Sequence, residues 1–295
     1  NEWVVAVKGN VVAREAGTEN PRIPTGMIEI QARAVTVLNA SKTPPFYIND
    51  ERGETVEELI RLRYRYLDIR RPRMARNLEL RYRVTKFMRD FLDAEGFWEV
   101  ETPILENEPG GAAATPFKTH HNTLDMTLYL RIANELYLKR LIVGGFDGVF
   151  EFSKDFRNEG MSRFHNPEFT QVELYVAYKD YEWMMNLVEE MVEKIALDLH
   201  GKTNVKVGEH DIDFKRPWKR FTMFEAIEHF TGIDISEMDE AALRATAKKL
   251  DVPVDETMGK GKLIDEIFGE KCEGNYIQPT FITDYPKEMS PLCKE

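Results

Sequence analysis

Hydrophobic and polar positions alternate along the first forty residues, as they do in β-strands. Residues 3–12 (WVVAVKGNVV) and 27–38 (MIEIQARAVTVL) follow this pattern. Lys8-Gly9-Asn10 interrupts the first run with a turn signal, and the Gly- and Pro-rich segment between the runs predicts a loop. The pattern indicates part of a small antiparallel β-domain, a barrel without its first strands. A β-extension of the next domain is the alternative.

Helical spacing replaces this alternation later in the chain. Residues 79–95 and 181–199 each carry one apolar stripe, which predicts two amphipathic helices. Thr222 and Glu225 have the spacing of a capping box, so we expect a helix that starts there and stops at Gly232.

Strand and loop signals lie between these helices. Residues 97–105 (FWEVETPIL) predict a strand ending at Pro103, where a residue without an N–H donor suits a sheet edge or a subunit boundary. Residues 107–122 contain many small residues and predict a loop that brings its backbone close to a ligand. A short strand and a helix within 128–143, and then two strands joined by a loop over 148–178, complete this region.

Composition narrows the class of protein. The chain of 295 residues is long enough for two domains, and no apolar run approaches the ~20 residues of a membrane span. No signal-peptide pattern opens the chain, whose first residues resemble the middle of a strand, so we expect it to begin inside a longer protein. Only Cys272 and Cys293 are present, which predicts no disulfide framework and a reducing, cytoplasmic location.

Arginine is concentrated in one stretch. Ten arginines lie between Arg61 and Arg89 and alternate with tyrosines, although the formal net charge of the chain is −11. Arginine beside aromatic rings can bind phosphates and stack on bases. A solvated helix that pairs with nearby acids is the alternative interpretation.

The 148–178 hairpin is the strongest candidate site. Because side chains alternate across a strand, each of its strands has one apolar and one polar face. The predicted polar faces carry Glu151, Ser153, Asp155 and Arg157 on the first strand, and Phe169, Gln171, Glu173 and Tyr175 on the second. Such a face can simply be solvated, but aromatic rings among acids indicate a pocket.

The residue types in this hairpin suggest a ligand with two kinds of charge. Arg157 offers a planar fork to phosphate or carboxylate, and Phe169 can stack on a base. Glu173, with Glu135 from the preceding helix, would attract a cation. A nucleotide and an amine fit this combination. A zinc site at His120, His121 and His165, and a phosphate loop at 258–270, are weaker alternatives without the usual spacing.

These residues also carry a resemblance. FRNEG (156–160) and RFHNPEFTQVELY (163–175) resemble motif 2 of the class II aminoacyl-tRNA synthetases, and GFWEVETPIL (96–105) resembles motif 1, their dimer element. Segments over most of residues 107–295 are similar to the lysine-specific members. Residues 1–105 look more like the bacterial aspartate-specific members, which suggests a chimeric or composite chain, or a lineage that mixes both.

The resemblance implies an α+β fold, an antiparallel sheet flanked by helices and preceded by part of an OB-type barrel. The implied domains are residues 1–40 (the C-terminal part of the anticodon-binding OB-fold), 41–78 (a linker) and 79–295 (the catalytic domain with motifs 1 and 2). It also implies a homodimer through helix 79–95 and the strand ending at Pro103. Motif 3 and the acidic magnesium ligands would lie beyond residue 295, so the chain alone would be incomplete as an enzyme.

The resemblance further implies an activity and a set of site residues. The family joins ATP and an amino acid into an aminoacyl-adenylate and then transfers the aminoacyl group to tRNA. Lysine is the implied amino acid here; an aspartate–tRNA ligase and a non-catalytic fragment are the alternatives. By matching position, the catalytic residue is Arg157. The ATP-binding set is Arg157, Glu159, His165, Asn166 and Phe169. The lysine-binding set is Gly111, Glu135, Arg157, Glu173 and Tyr175.

Overall fold

The computed structural model describes residues 2–49, 55–112 and 114–290. Cys293 lies outside this described part. By its internal contacts the chain divides into two compact units, Asn1–Glu79 and Leu80–Glu295. The division into three domains stays a prediction.

The first unit contains an antiparallel hairpin of β1 (Val4–Ala13) and β2 (Ile28–Asn39). The turn predicted at Lys8-Gly9-Asn10 is wrong, because β1 continues through these residues. The pairing register instead shifts between Lys8 and Gly9, which is a β-bulge. A Cβ at Gly9 would lie 2.2 Å from the Gln31 carbonyl oxygen. The glycine therefore permits a close approach of two strands.

The two strands form a sheet of their own, and residues 2–49 contain no closed barrel. Apolar side chains of both strands are exposed, among them Val7, Val11, Ile30 and Val35. The OB-type barrel thus stays a prediction.

The stretch predicted as a linker, residues 41–78, contains two short helices, α1 (Glu58–Arg63) and α2 (Arg65–Asp68). A long helix, α3 (Pro72–Ala94), begins in the same stretch and contains the boundary between the units. It starts seven residues before the predicted position because Pro72 suits a first helical turn.

Many arginines of this stretch pair with carboxylates. The Asp68 carboxylate is fully buried and lies 3.0 Å from Arg61 and 2.6 Å from Arg65. The hydrogen bond from Arg61 holds the pKa of Asp68 below its usual range. Arg83 and Arg89, which lie within the second unit, pair there with Asp198 and Glu99. These contacts favour the interpretation in which the arginines pair with nearby acids.

The second unit is a mixed α+β structure. After α3, its strands are β3 (Trp98–Glu99), β4 (Leu105–Glu106), β5 (Lys118–His121), β6 (Met126–Leu130), β7 (Gly148–Phe156), β8 (Glu168–Val176), β9 (Asn204–Val207), β10 (His210–Asp213), β11 (Lys219–Thr222) and β12 (Thr280–Thr283). Its helices are α4 (Glu135–Val143), α5 (Tyr181–His200), α6 (Met223–Thr231), α7 (Glu240–Lys249) and α8 (Lys260–Lys271).

The sheet that carries the candidate site has the order β3-β7-β8, with β3 parallel to β7 and β7 antiparallel to β8. Its apolar face packs against α3 and α5, as the alternation predicts. The buried members of this core are Phe91, Leu92, Phe97, Phe150, Leu187 and Met191. The helices therefore cover one face and leave the polar face of the hairpin available.

The strand predicted to end at Pro103 is wrong in its extent. Only Trp98 and Glu99 form β3, and a separate two-residue strand follows at Leu105. The pairing stops because the Thr102 N–H donates to the Glu151 side chain at 3.3 Å, and Pro103 has no N–H.

A second core lies within α6, α7 and α8. The capping box at the start of α6 is confirmed: Thr222 Oγ1 accepts from the Glu225 N–H at 3.1 Å, and Glu225 accepts from the Thr222 N–H at 2.8 Å. Gly232 ends the helix with a φ of 70°. The segment considered as a phosphate loop forms α8, with Leu263 and Ile264 fully buried. None of the described helices has the length and apolar character to cross a membrane.

Candidate functional site

The register of the β7–β8 hairpin brings its two polar faces together. Glu151 lies opposite Glu173, Ser153 opposite Gln171, and Asp155 opposite Phe169. Because cross-strand neighbours share a face, these side chains form one floor, as predicted. Ser153 and Asp155 are buried, so this floor is a packed polar layer rather than a solvated surface.

One end of the hairpin forms a cavity of about 380 Å³. All five residues of the predicted ATP-binding set line it: Arg157, Glu159, His165, Asn166 and Phe169. The Arg157 guanidinium lies 5.2 Å from the centre of the Phe169 ring. Its Nε is buried, and within the described part of the chain it has no acceptor. A cation with an unused donor beside an aromatic face suits an anionic ligand with a planar base.

Short-range contacts shape the loop at this end. Ser162 Oγ lies 2.8 Å from His165 Nδ1, and the Asn166 amide donates to the Glu168 carbonyl at 2.9 Å. The loop predicted to approach a ligand lies beside it, because the Asn158 N–H donates to the Thr115 carbonyl at 2.8 Å.

The other end of the floor is acidic. Tyr175 donates to Glu173 Oε2 at 3.1 Å, and Gln171 Nε2 donates to Glu173 Oε1 at 2.8 Å. Burial, together with the charges of Asp155, Glu135 and Glu151, raises the pKa of Glu173. A cation bound here would relieve this repulsion between carboxylates.

Glu135 begins α4 beside this floor. Gly111 faces it with a φ of 86°, and a Cβ there would lie 3.2 Å from Ala133 and 3.6 Å from Glu135. Lys139, one turn after Glu135, forms an ion pair with it and lies 6.0 Å from the centre of the Tyr175 ring. The structure thus brings all members of the predicted lysine-binding set onto this hairpin or the elements beside it. It also places the side chain of Lys139, which was not predicted, next to Glu135 and Tyr175.

Sequence reasoning missed the partners beneath the floor. Arg131 is 2% exposed; its Nη1 donates to Glu151 at 3.0 Å, and its Nε lies 3.0 Å from Asp155 Oδ1. Asn134 donates to Glu151 at 2.9 Å, and Thr102 Oγ1 does so at 2.6 Å. Although burial opposes it, these bonds and the charge of Arg131 lower the pKa of Glu151. Buried carboxylates are costly unless a cation pairs with them. The predicted row of acids was therefore the signal that a buried cation such as Arg131 had to lie nearby.

The zinc alternative receives no support from the geometry. His120 lies 3.3 Å from Asp125, His121 Nδ1 accepts the Leu124 N–H, and His165 contacts Ser162. The residues that the structure describes include no group of three His, Cys, Asp or Glu side chains that could hold a metal ion. A larger, mainly apolar cavity of about 790 Å³ between α5 and β12 contains none of the predicted site residues.

Comparison with known proteins identifies the family. The family described as tRNA synthetases class II (D, K and N) matches residues 57–295. The chain belongs to this family. It is 59% identical over 279 residues to the lysine–tRNA ligase of Porphyromonas gingivalis. This alignment covers 93% of this chain and 48% of the relative. It is 62% identical over 276 residues to that of Christiangramia forsetii, covering 92% and 48%.

A third lysine–tRNA ligase, from Azobacteroides pseudotrichonymphae, is 52% identical over 275 residues, 92% of this chain and 55% of the relative. The class II chain thus spans about half the length of the curated relatives it matches. Because the alignments include at least 92% of the chain, they extend across residues 105–109, where a change of relative was predicted. These relatives give no support to a composite chain.

Proposed function

We propose that this chain forms the lysine-activating site of a lysine–tRNA ligase. The lysine carboxylate attacks the α-phosphorus of ATP, an oxygen–phosphorus bond forms, and pyrophosphate leaves with the electrons of the broken bond. The product is lysyl-adenylate, from which the aminoacyl group passes to the 3′ end of tRNA. The protein positions the two reactants and neutralises charge, which is how most catalysis of in-line displacement at phosphorus works.

The observation that carries the proposal is the division of one hairpin by charge. An arginine fork with an aromatic ring lies at one end, and a partly buried carboxylate pair lies on the same face further along. Phe169 and Glu173 are four positions apart along one strand, which is about 13 Å. That span accommodates a phosphate and an amino acid between a stacked adenine and a terminal ammonium.

Each end has a defined chemical role in this proposal. Arg157 bridges the α-phosphate and the lysine carboxylate and stabilises the charge that develops between them. Phe169 stacks on adenine, Glu159 accepts from its amino group, and His165 and Asn166 hold the outer phosphates or the edge of ATP.

Glu135, Glu173 and Tyr175 receive the lysine amines, and the Gly111 backbone closes the pocket. An ammonium taken out of water needs paired carboxylates. A pocket for aspartate would instead need a free cation. Lys139, one turn after Glu135, is already paired with that carboxylate. The floor therefore favours a positively charged side chain on the amino acid.

Three further features of this proposal rest on family membership. The tRNA is the acceptor, the protein acts as a homodimer through α3 and β3, and an OB-type barrel precedes the catalytic domain. The exposed Trp98 on β3 and the exposed apolar residues of the β1–β2 hairpin accord with additional protein surfaces there. Magnesium accompanies ATP in this family. The described residues contain no group of three His, Cys, Asp or Glu side chains that could hold it, so the roles above belong to the side chains of the protein itself.

The test is ATP–pyrophosphate exchange by the full-length protein, with lysine and aspartate supplied side by side. We expect exchange that depends on lysine and no exchange with aspartate. Exchange with aspartate alone would establish the aspartate alternative. Absence of exchange with either amino acid would establish a non-catalytic paralogue and overturn the proposal.

A further inference from the structure

The Gln171 side chain lies between two carboxylates of the floor. Its Nε2 donates to Glu173 Oε1 at 2.8 Å and also to Asp155 Oδ2. Asp155 is fully buried on β7, and Gln171 and Glu173 point to the same face of β8. The amide is therefore the only described side chain that bonds to both acids.

A primary amide is well suited to this position. Its nitrogen carries two hydrogens and accepts no bond, so it can donate one hydrogen to each carboxylate. Two carboxylates that share a buried site otherwise tend to retain a proton between them. Donation to both favours the state in which both are ionised, because hydrogen bonds to the charged form stabilise that form.

The bridge extends to a buried cation. Arg131 Nε lies 3.0 Å from Asp155 Oδ1, the oxygen that Gln171 does not contact. The Nε hydrogen itself is donated to the Lys154 carbonyl at 2.9 Å, so the contact with Asp155 is one of charge. A continuous chain thus leads from Arg131 through Asp155 and Gln171 to Glu173. It connects the edge of the ligand pocket to the rigid centre of the sheet.

Other charged and titratable groups also face Glu173. Glu151 and Asp155 come from β7, Tyr175 from β8, and Glu135 with its partner Lys139 from α4. The three acids repel the Glu173 charge, and Lys139 is occupied by Glu135. Among the described groups, Gln171 and Tyr175 are those that donate hydrogen bonds to Glu173.

We propose that Gln171 is a positioning residue for recognition of the lysine ammonium: it fixes the Glu173 carboxylate in its ammonium-accepting form by tethering it to Asp155. This inference rests on the proposed lysine activation and deepens it. Gln171 does not contact lysine itself. It acts through the orientation and charge of Glu173.

The test is the pH profile of kcat/KM for lysine in the full-length protein carrying Gln171→Met. Methionine has a similar length and donates no hydrogen bond. We expect the KM for lysine to rise about 10- to 100-fold, the range for a lost bond to a charged group, with the KM for ATP unchanged. We also expect the acid limb of the profile to move toward higher pH, because Glu173 then retains its proton longer.

Two further variants keep the test decisive. Gln171→Glu preserves the shape of the side chain and replaces the donor with a further acid between Asp155 and Glu173, so it should move the acid limb in the same direction and at least as far. Gln278→Met makes the same substitution as the first variant at an exposed position outside the hairpin, where the amide donates to the Asp211 carbonyl, and it should change neither KM nor the limb. Melting curves identify any variant that fails to fold.

An unchanged lysine KM and an unchanged acid limb in folded Gln171→Met and Gln171→Glu would overturn the inference and leave lysine activation standing. A wild-type protein without any lysine-dependent exchange would overturn both. The two failures are therefore distinguishable in one experiment.

Discussion

Two buried glutamates of the same small region show how partners determine what a buried carboxylate does. Glu151 receives hydrogen bonds from Thr102, Asn134 and Arg131, and its pKa is lowered despite burial. Glu106 is 7% exposed, and its Oε2 has no partner among the described residues. Burial raises the pKa of Glu106. The first glutamate is part of the framework, whereas the second is costly to ionise.

This difference predicts a pH-dependent effect of Glu106→Gln. A raised pKa in the folded state means that the stabilising contribution of Glu106 is complete below its unfolded pKa and is lost as pH rises through its folded pKa. The amide does not titrate. The melting temperature of the variant relative to wild type should therefore increase between about pH 4 and pH 7.

Thermal melts across that pH range measure the slope of this difference. The amide also adds two hydrogen-bond donors, and these change the melting temperature by the same amount at every pH. The change of the difference with pH therefore reports the titration of Glu106. Glu108→Gln, at an exposed position two residues later, is the matched control and should show no slope. A flat difference for Glu106→Gln would contradict the account.

At the scale of single residues, the sequence identified the acids of the floor but not what holds them. Alternation along a strand was enough to group Glu151, Asp155 and Glu173, since it depends only on local backbone geometry. Arg131 and Asn134 reach the floor from a turn between β6 and α4. Their contacts depend on tertiary packing, which a local pattern does not contain.

At the scale of elements, the helix end marked by local capping signals was predictable, whereas the start of α3 and the breaks within strands were not. The capping box at Thr222 and the left-handed Gly232 are local features, and both occur where expected. A strand requires a partner, so the bulge at Gly9 and the early end of β3 depended on Gln31 and Glu151, which are distant in sequence. The glycines and lysines at the start of α8 suggested a phosphate loop, although the segment also carries an apolar stripe. Leu263 and Ile264 of that stripe face the core.

The capping box gives a prediction about stability. Thr222→Ala removes the acceptor for the Glu225 N–H at 3.1 Å and should lower the free energy of unfolding by about 1 kcal/mol. Thr222→Ser retains the acceptor and should stay close to wild type. Urea denaturation of the three proteins measures the difference. Equal midpoints for Ala and Ser would show that the box contributes nothing to stability.

At the scale of the whole molecule, one polar sheet face provides both halves of the proposed site. The helices α3 and α5 cover its apolar side, and this leaves the opposite side for ligands. The α+β class was implied by the resemblance of segments between α3 and β8 to class II motifs, and the family match over residues 57–295 supports it. The OB-type barrel and the dimer stay predictions, and the chain spans about half the length of the relatives it matches.

The most direct test of the central claim is the KM for lysine of the full-length Glu173→Gln protein, measured by ATP–pyrophosphate exchange. Losing one partner of a desolvated charge pair costs about 2 kcal/mol or more, so the KM for lysine should rise about 30-fold or more while that for ATP stays within a factor of about two. Glu168→Gln, an exposed glutamate at the start of the same strand, should leave both values unchanged. A lysine KM in Glu173→Gln equal to wild type would contradict the assignment of the acidic floor to the lysine ammonium.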